Sequence, residues 1–164
     1  FGKEDTLVTI QIDQMLAEKF GMEYVDSDGQ KKNPYIIHRT SIGCYERTLA
    51  LLIEKYAGAF PTWLAPVQVK FLPVADRHQD YCREVMSKLQ AAGVRCELDD
   101  RSEKTGFKIR SAQMEKVPYM IIVGDKDIEA NTISVRSRKN GDEGATSVDE
   151  FLSRIVTEIA TKAR

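Results

Sequence analysis

Residues 59–66 (AFPTWLAP) set the strongest limit on what this chain can fold into. Two of its five prolines and its one tryptophan fall there, and no hydrophobic period runs through the stretch. A proline ring fixes its own φ and pushes the preceding residue away from helical geometry, so neither a helix nor a central strand crosses this point. The chain is therefore expected as two structural units, residues 1–60 and 67–164, joined by a linker at 61–66. An indole buries area efficiently at such a joint, which makes Trp63 the expected wedge between them.

Before the joint the patterns are short. Residues 7–13 (LVTIQID) alternate, with Val8, Ile10 and Ile12 on one face and Leu7, Thr9, Gln11 and Asp13 on the other. That period of two predicts a strand with one face in a core. Residues 23–25 and 35–40 read as two more strands of a long hairpin, separated by the turn Asp26-Ser27-Asp28-Gly29 and the solvated Gln30-Lys31-Lys32-Asn33. After Gly43 the spacing of Leu49, Leu52, Ile53 and Tyr56 predicts a helix over 44–57 that Gly58 ends.

After the joint the alternation is regular. Residues 67–73 (VQVKFLP) and 94–98 (VRCEL) predict strands, with a helix between them that a capping box at Asp76 and Gln79 opens and Gly93 closes. A helix over 105–116 leads to a third strand, 119–125 (YMIIVGD), apolar enough to be central. The turn Glu129-Ala130-Asn131 leads to a fourth strand over 132–138. Ser147 and Glu150 form a second capping box, opening a last helix with Phe151, Leu152, Ile155 and Ile159 on its apolar face. This order implies a sheet with parallel crossovers and helices on both faces, and 98 residues are enough for its core.

Composition excludes several classes. An apolar fraction of 42% is too high for a disordered chain. No apolar run approaches the ~20 residues of a membrane helix. Twenty-four basic and twenty-five acidic side chains nearly cancel, so neither DNA nor a membrane is called for by bulk charge, and any nucleic-acid site must be a local patch. Cys44, Cys82 and Cys96 are odd in number and form no C-x-x-C pair, which excludes a disulfide scaffold and fits a reducing compartment. The first residue is Phe1 and no signal peptide follows it, so the chain is expected to be part of a longer one.

Several residues carry candidate chemistry. Gly43, between a strand and a helix, is by default a turn glycine, but such a site also lets the backbone approach a ligand. Five basic residues, Arg101, Lys104, Lys108, Arg110 and Lys116, stand near Glu103 and Glu115, and Arg136, Arg138 and Lys139 follow on the fourth strand. Alone, such a run is a solvated face. A lone His38 is by default a satisfied strand histidine, His78 a surface side chain, and Phe107, Cys82 and Cys96 core residues. Neither G-x-x-x-x-G-K nor G-x-G-x-x-G occurs, so a nucleotide-binding α/β protein lacks its signature.

Longer strings say more. The segment NPYIIHRTSIGCYERTLALLIEKYAGAFPTWLAPVQV resembles motif 3 of the class II aminoacyl-tRNA synthetases and the joint after it, and FGKEDTLVTIQID resembles the active-site strand before it. The segment DDRSEKTGFKIRSAQMEKVPYMIIVGDKDIEANTISVRSR is similar to the anticodon-binding domain that follows. His38 and the string AGAFPTWLAPVQV point to the threonyl-tRNA synthetases among them, and the resemblance covers essentially the whole chain.

That resemblance implies an α/β fold: a mixed, mostly parallel sheet with helices on both faces, preceded by a partial antiparallel piece of the class II catalytic domain. It implies a homodimeric cytoplasmic parent that joins threonine to threonine tRNA through an adenylate made from ATP with magnesium. Arg47 matches the motif 3 arginine that lies against adenine, a task for a planar guanidinium that lysine does not perform. Thr9 and Gln11 match positions lining the threonine pocket, and Cys44 stands where many members have serine.

His38 matches a zinc ligand whose companion Cys and His precede Phe1 in the family, so zinc is not expected to be retained here. Open zinc coordination reads a hydroxyl that an apolar pocket does not. Arg110 and Arg136 match anticodon-reading arginines, Asp127 a base-edge acceptor usually filled by glutamate, and Ser102 a position usually filled by asparagine; Lys104 is expected to contact phosphate. Motif 2 is absent, so the chain alone is expected to be inactive. The alternative is a non-catalytic RNA-binding or regulatory subunit; Thr9, Gln11, His38 and Arg47 favour the synthetase, because a pure binding module has no use for an ATP arginine.

Overall fold

A computed structural model describes residues 2, 4, 6–40 and 42–163. Phe1, Lys3, Asp5 and Ser41, which belong to the strings above, lie outside the described residues. The chain divides into two compact units, one ending at Glu54 and the other beginning at Lys55.

The first unit holds β1 (Ile10–Asp13), the single-turn α1 (Leu16–Lys19), β2 (Tyr24–Val25), β3 (Lys31–Lys32), β4 (Ile36–Arg39) and most of α2 (Tyr45–Tyr56). The expected hairpin between residues 23–25 and 35–40 does not form. β2 pairs with β3, and β4 pairs antiparallel with β1. The turn at Asp26–Gly29 explains the difference, because it folds the chain back at once: Gly29, at φ +75°, donates to the Asp26 carbonyl. Lys32 then pairs with Asp26 and Asp28, and Lys31 with Glu23 at 2.8 Å.

The helix expected over 44–57 is present as α2, followed by left-handed Ala57 and Gly58. The expectation that Val8, Ile10 and Ile12 face a core is corrected: Ile10 and Ile12 are 66% and 65% exposed, and Ile37 beside them 67%. Ala17 is the one buried hydrophobic side chain among the described residues of this unit.

The second unit is built on β5 (Val69–Pro73). A 3-10 turn (Asp76–His78) leads into α3 (Gln79–Ala91), then β6 (Cys96–Leu98), α4 (Thr105–Met114), β7 (Tyr119–Val123), α5 (Asp125–Ala130), β8 (Thr132–Ser137), β9 (Gly141–Ser147) and α6 (Val148–Thr161). Strand order is β6-β5-β7-β8-β9. β7 is central, as its composition predicts. β5 pairs in parallel with β6 and β7, whereas β7–β8 and β8–β9 are antiparallel. The sheet is therefore mixed, and the unexpected β9 raises its antiparallel share.

Strand alternation sorts the helices. Val69, Phe71, Ile121, Val123, Ile133 and Val135 face α3 and α6, whose Cys82, Val85, Leu89, Phe151 and Ile155 are buried against them. Leu72 and Met120 face the other way and meet Ala112 of α4. The α6 cap is as expected, with Ser147 Oγ accepting the Glu150 amide at 3.2 Å. The α3 cap is not. The His78 imidazole, rather than Asp76, satisfies the chain entering the helix by accepting the Ala75 amide at 3.0 Å.

Residues 59–66 pack onto this unit. Gln68, fully buried, donates to the Thr62 carbonyl, and Arg95 donates to the carbonyls of Trp63 and Ala65. Thr62 Oγ1 donates to Glu158, and the Lys162 ammonium lies 5.7 Å from the Trp63 ring centre.

Burial this uneven has a kinetic consequence. Amides of β5 and β7 should exchange with solvent only through opening of the whole second unit, and those of β1 and β4 at least about a hundredfold faster through local opening. Hydrogen exchange on a monomeric sample checks this, and equal protection in the two units would refute it.

Candidate functional site

In the first unit the register gathers the residues matched to the amino-acid pocket. Gln11 and His38 are direct cross-strand partners, so both side chains leave the β1–β4 ladder on one face. Thr9 precedes β1 at the same parity, and its carbonyl accepts the Thr40 amide at 3.4 Å. His38 Nε2 lies 3.6 Å from Asp13 Oδ2, while Asp13 Oδ1 accepts the Met15 and Leu16 amides at 2.8 and 2.9 Å. These two backbone donors, with a smaller contribution from His38, hold the Asp13 carboxyl below its usual range. Among the described residues no group of three or more His, Cys, Asp or Glu side chains is placed to hold a metal. A zinc site needs at least three protein ligands, and His38 with Asp13 does not make one.

The motif around Gly43 is tightly held. Its amide donates to the Leu7 carbonyl at 2.8 Å, and a Cβ built on it would sit 2.3 Å from that oxygen. The close approach that requires glycine is thus to the chain's own backbone. Just beyond it, the Cys44 thiol donates to Glu46 at 3.1 Å, which lowers the Glu46 carboxyl pKa. Arg47 is exposed on α2, with Nη1 donating to the Thr6 carbonyl at 2.6 Å.

In the second unit, the basic residues separate into two sets. Arg101 makes a bidentate pair with buried Asp99 at 2.8 and 2.6 Å, lowering the Asp99 carboxyl pKa. Lys116 donates to the Ala57 carbonyl, Arg138 to the Lys116 and Phe60 carbonyls, and buried Lys108 to the Pro73 and Asp99 carbonyls. Lys104 and Arg110 are exposed on the loop before α4 and on α4 itself, and Arg136 is half-buried on β8. None of these three side chains has a protein partner among the described residues.

The α4 side of the sheet brings this second set together. Arg136 is the cross-strand partner of Met120, which packs beneath α4, so Arg136 leaves the sheet on that face. Ser134, opposite Ile122, is on the same face and donates to Asp127 Oδ1 at 2.7 Å. Asp127 Oδ2 accepts the Gly124 amide at 2.9 Å, so the carboxylate is oriented from both oxygens and each keeps a lone pair. Ser102, exposed, lies in the loop that opens α4.

Two expectations are corrected here. Phe107 is 51% exposed rather than core, with the Arg101 guanidinium 5.7 Å from its ring centre. His78 is 1% exposed, its Nε2 2.9 Å from Asp125 Oδ1. Asp125 also takes two hydrogen bonds from Arg77, and this pair, more than His78, holds its carboxyl far below the ordinary range. The signal for His78 was its place three residues after Ala75, where an imidazole reaches a free amide at a helix entrance. Cys82 sits in the core as expected and half-buried Cys96 packs against it, and burial pushes both thiols up to about 12.

Comparison with known proteins follows these two regions. Residues 66–158 match the family model of the anticodon binding domain, and residues 1–56 that of the tRNA synthetase class II core domain (G, H, P, S and T). The chain is 62% identical over 161 residues to the threonine–tRNA ligase of Clostridium perfringens strain SM101, a match covering 98% of this chain and 25% of that protein. It is 52% identical over 155 residues to the threonine–tRNA ligase of Caldanaerobacter subterraneus subsp. tengcongensis, covering 94% and 24%. The chain thus spans about a quarter of the length of these relatives. Among solved structures it is similar to the RNA binding domain of threonyl-tRNA synthetase from Cryptosporidium parvum Iowa II, with a TM-score of 0.77 and 27% identity over 92% of this chain and 38% of that one.

Two outcomes test the local geometry. Gly43→Ala should destabilise the first unit by about 1–3 kcal/mol, because a methyl group has to displace backbone rather than a flexible side chain; unchanged exchange of the β1 amides would contradict this. Iodoacetamide at pH 8 should alkylate Cys44 well before Cys82 or Cys96, since both buried thiols stay protonated below about pH 12. Mass spectrometry over time reads the order, and early modification of Cys82 would refute it.

Proposed function

The chain belongs to the anticodon binding domain family, and on that premise we propose that it supplies tRNA reading, and part of the active site, to an enzyme that joins threonine to its tRNA. The observation that carries this reading is the sorting of cations on the second unit. Arg101, Lys108, Lys116 and Arg138 serve the protein's own backbone and carboxylates, while Lys104, Arg110 and Arg136 have no protein partner among the described residues. Unstacked anticodon bases are read by hydrogen bonds at their edges, with neighbouring cations neutralising phosphate. Arg110 and Arg136 take base edges or adjacent phosphates, Lys104 a phosphate, and Asp127 and Ser102 offer an oriented acceptor and a hydroxyl.

The residues 1–60, 61–66 and 67–164 act in this reading as catalytic piece, linker and tRNA-binding domain. ATP with magnesium supplies the activated adenylate in the whole enzyme. Arg47, exposed and anchored at one nitrogen to Thr6, fits stacking on a planar base, and Thr9, Gln11, His38 and Cys44 lie toward the amino acid. The described residues do not assemble a zinc site, so nothing here is assigned to that metal. A homodimeric, cytoplasmic enzyme is part of the same proposal; among the described residues no helix is long and apolar enough to cross a membrane.

Titration of labelled anticodon stem-loops at two salt concentrations tests it. Arg136→Ala should cost on the order of 1–3 kcal/mol against the threonine anticodon and relax discrimination against a swapped one, whereas Lys104→Ala should weaken both loops alike and flatten the salt slope. With a net charge of −1, binding should fade quickly as salt rises. An absence of anticodon preference in the wild type at either salt, or a preference untouched by Arg136→Ala, overturns the assignment.

A further inference from the structure

His78 is a side chain that the reading above leaves without a task. It is 1% exposed, and both of its ring nitrogens are engaged. Nδ1 accepts the Ala75 amide at 3.0 Å, which leaves the ring proton on Nε2, 2.9 Å from Asp125 Oδ1. The imidazole therefore joins two segments that leave the same end of the sheet. Ala75 lies in the loop after β5, and Asp125 opens α5 directly after β7, the parallel neighbour of β5.

α5 depends on ties of this kind. None of its six residues is buried, so packing does not fix where it sits, and a helix this short does not persist alone. Beyond its far end, the Tyr81 hydroxyl of α3 donates to the Thr132 carbonyl at 3.0 Å. Its first turn is held through Asp125, by Arg77 and by His78. The Arg77 and Asp125 side chains are 67% and 58% exposed, and an exposed pair between flexible side chains holds a position weakly. His78 is locked by burial and by its second nitrogen, so it is the tie that sets where the first turn lies.

That turn carries Asp127. Its carboxylate takes its orientation from the Gly124 amide at 2.9 Å, one residue before Asp125, and from Ser134 Oγ on β8 at 2.7 Å. A first turn released from His78 moves the Gly124 donor relative to Ser134, and the carboxylate loses its aim. Resting on the tRNA reading above, in which Asp127 accepts from a base edge, we propose that His78 is a positioning residue for anticodon discrimination. Its Nε2–H bond to Asp125 holds α5 so that Asp127 meets the base.

The two ring nitrogens separate positioning from stability. An asparagine amide oxygen reaches the place of Nδ1, and a glutamine amide nitrogen that of Nε2. His78→Asn thus keeps the Ala75 bond and loses Asp125, whereas His78→Gln keeps Asp125 and loses Ala75. Both should lower the thermal midpoint of the 164-residue chain. Stem-loops with one anticodon base swapped at a time, titrated with Asp127→Ala, identify the position whose preference rests on Asp127, by about tenfold. His78→Asn should reduce that same preference about threefold, the lower range of coupling between neighbouring groups, and leave the other positions unchanged. His78→Gln should keep it. In the Asp127→Ala background His78→Asn should change it no further. Asp125→Ala, an exposed substitution, should repeat the effect of His78→Asn and decides the outcome if that variant does not fold.

A wild-type preference in folded His78→Asn or Asp125→Ala protein overturns the proposal. So does an equal loss in His78→Asn and His78→Gln, which is what a purely structural role gives, or a loss that persists in full in the Asp127→Ala background. If no preference depends on Asp127, this inference and the Asp127 contact fall together, whereas a wild type without any anticodon preference defeats the tRNA reading as a whole.

Discussion

The parallel pairing of Val69–Pro73 with Tyr119–Val123 is the interaction on which the second unit depends. Five consecutive register pairs join the two strands, and every residue of β5 is buried. A strand covered on both faces has to satisfy its backbone within the sheet and its side chains in two separate cores. Phe71 and Ile121 fill the core under α3 and α6, and Leu72 and Met120 the one under α4. Because α4 covers only part of its side and the short α5 reaches it at Ser134, Ile122, Ser134 and Arg136 stay half-exposed beside it. The same asymmetry that leaves this face open is what allows β8 to present an arginine there.

Charge on this face is arranged by how well the protein neutralises it. Lys70 projects from β5 on the α4 side, 4% exposed, and meets Glu115 at 2.5 Å and Glu97 at 3.4 Å. Lys70 is the buried end and the two glutamates are half-exposed, so removing both carboxylates would cost more than the pairs contribute, because the ammonium would be left without solvent or counter-charge. Arg101 with Asp99 follows the same logic, while Arg95 and Arg138 bind backbone carbonyls of the 59–66 strap. A basic run along the sequence is therefore mostly a set of internal ties. Of the cations left over, Arg110 stands on α4, Arg136 on β8 and Lys104 at the entrance of α4, and that positions them for recognition better than a mobile tail.

Much of this architecture was legible because it rests on local rules. Ser147 three residues before Glu150 is a capping box and caps α6, and the apolar run over 119–123 is the central strand. β9 was missed because its sequence, GDEGATS, has no alternating apolar residue and two glycines. It is an edge strand whose pairing comes from β8 rather than from a buried face. α5 was missed because six residues are too few to show a helical period, and left-handed Asn131 ends it where a simple turn was expected. Phe107 was assigned to the core as a residue of the helix over 105–116, although that helix spends its one narrow apolar stripe on Ile109 and Ala112.

The first unit shows the limit of periodicity more sharply. The alternation of Val8, Ile10 and Ile12 correctly marks a strand with two chemically different faces, and the pairing with β4 adds Ile37 to the apolar one. Periodicity states which side of a strand favours burial; it contains nothing about the element that would cover it. The polar face is determined differently. Gln11 and His38 come together through backbone register, and Gly43 fixes that register at its far end by accepting no side chain against Leu7. Site geometry in this unit is thus held by main-chain hydrogen bonds and one steric constraint, with almost no hydrophobic burial behind it. In the second unit Arg110 and Arg136 stand on α4 and β8, elements that pack against the core. Precision of placement there follows from the core, and in the first unit it follows from the ladder alone.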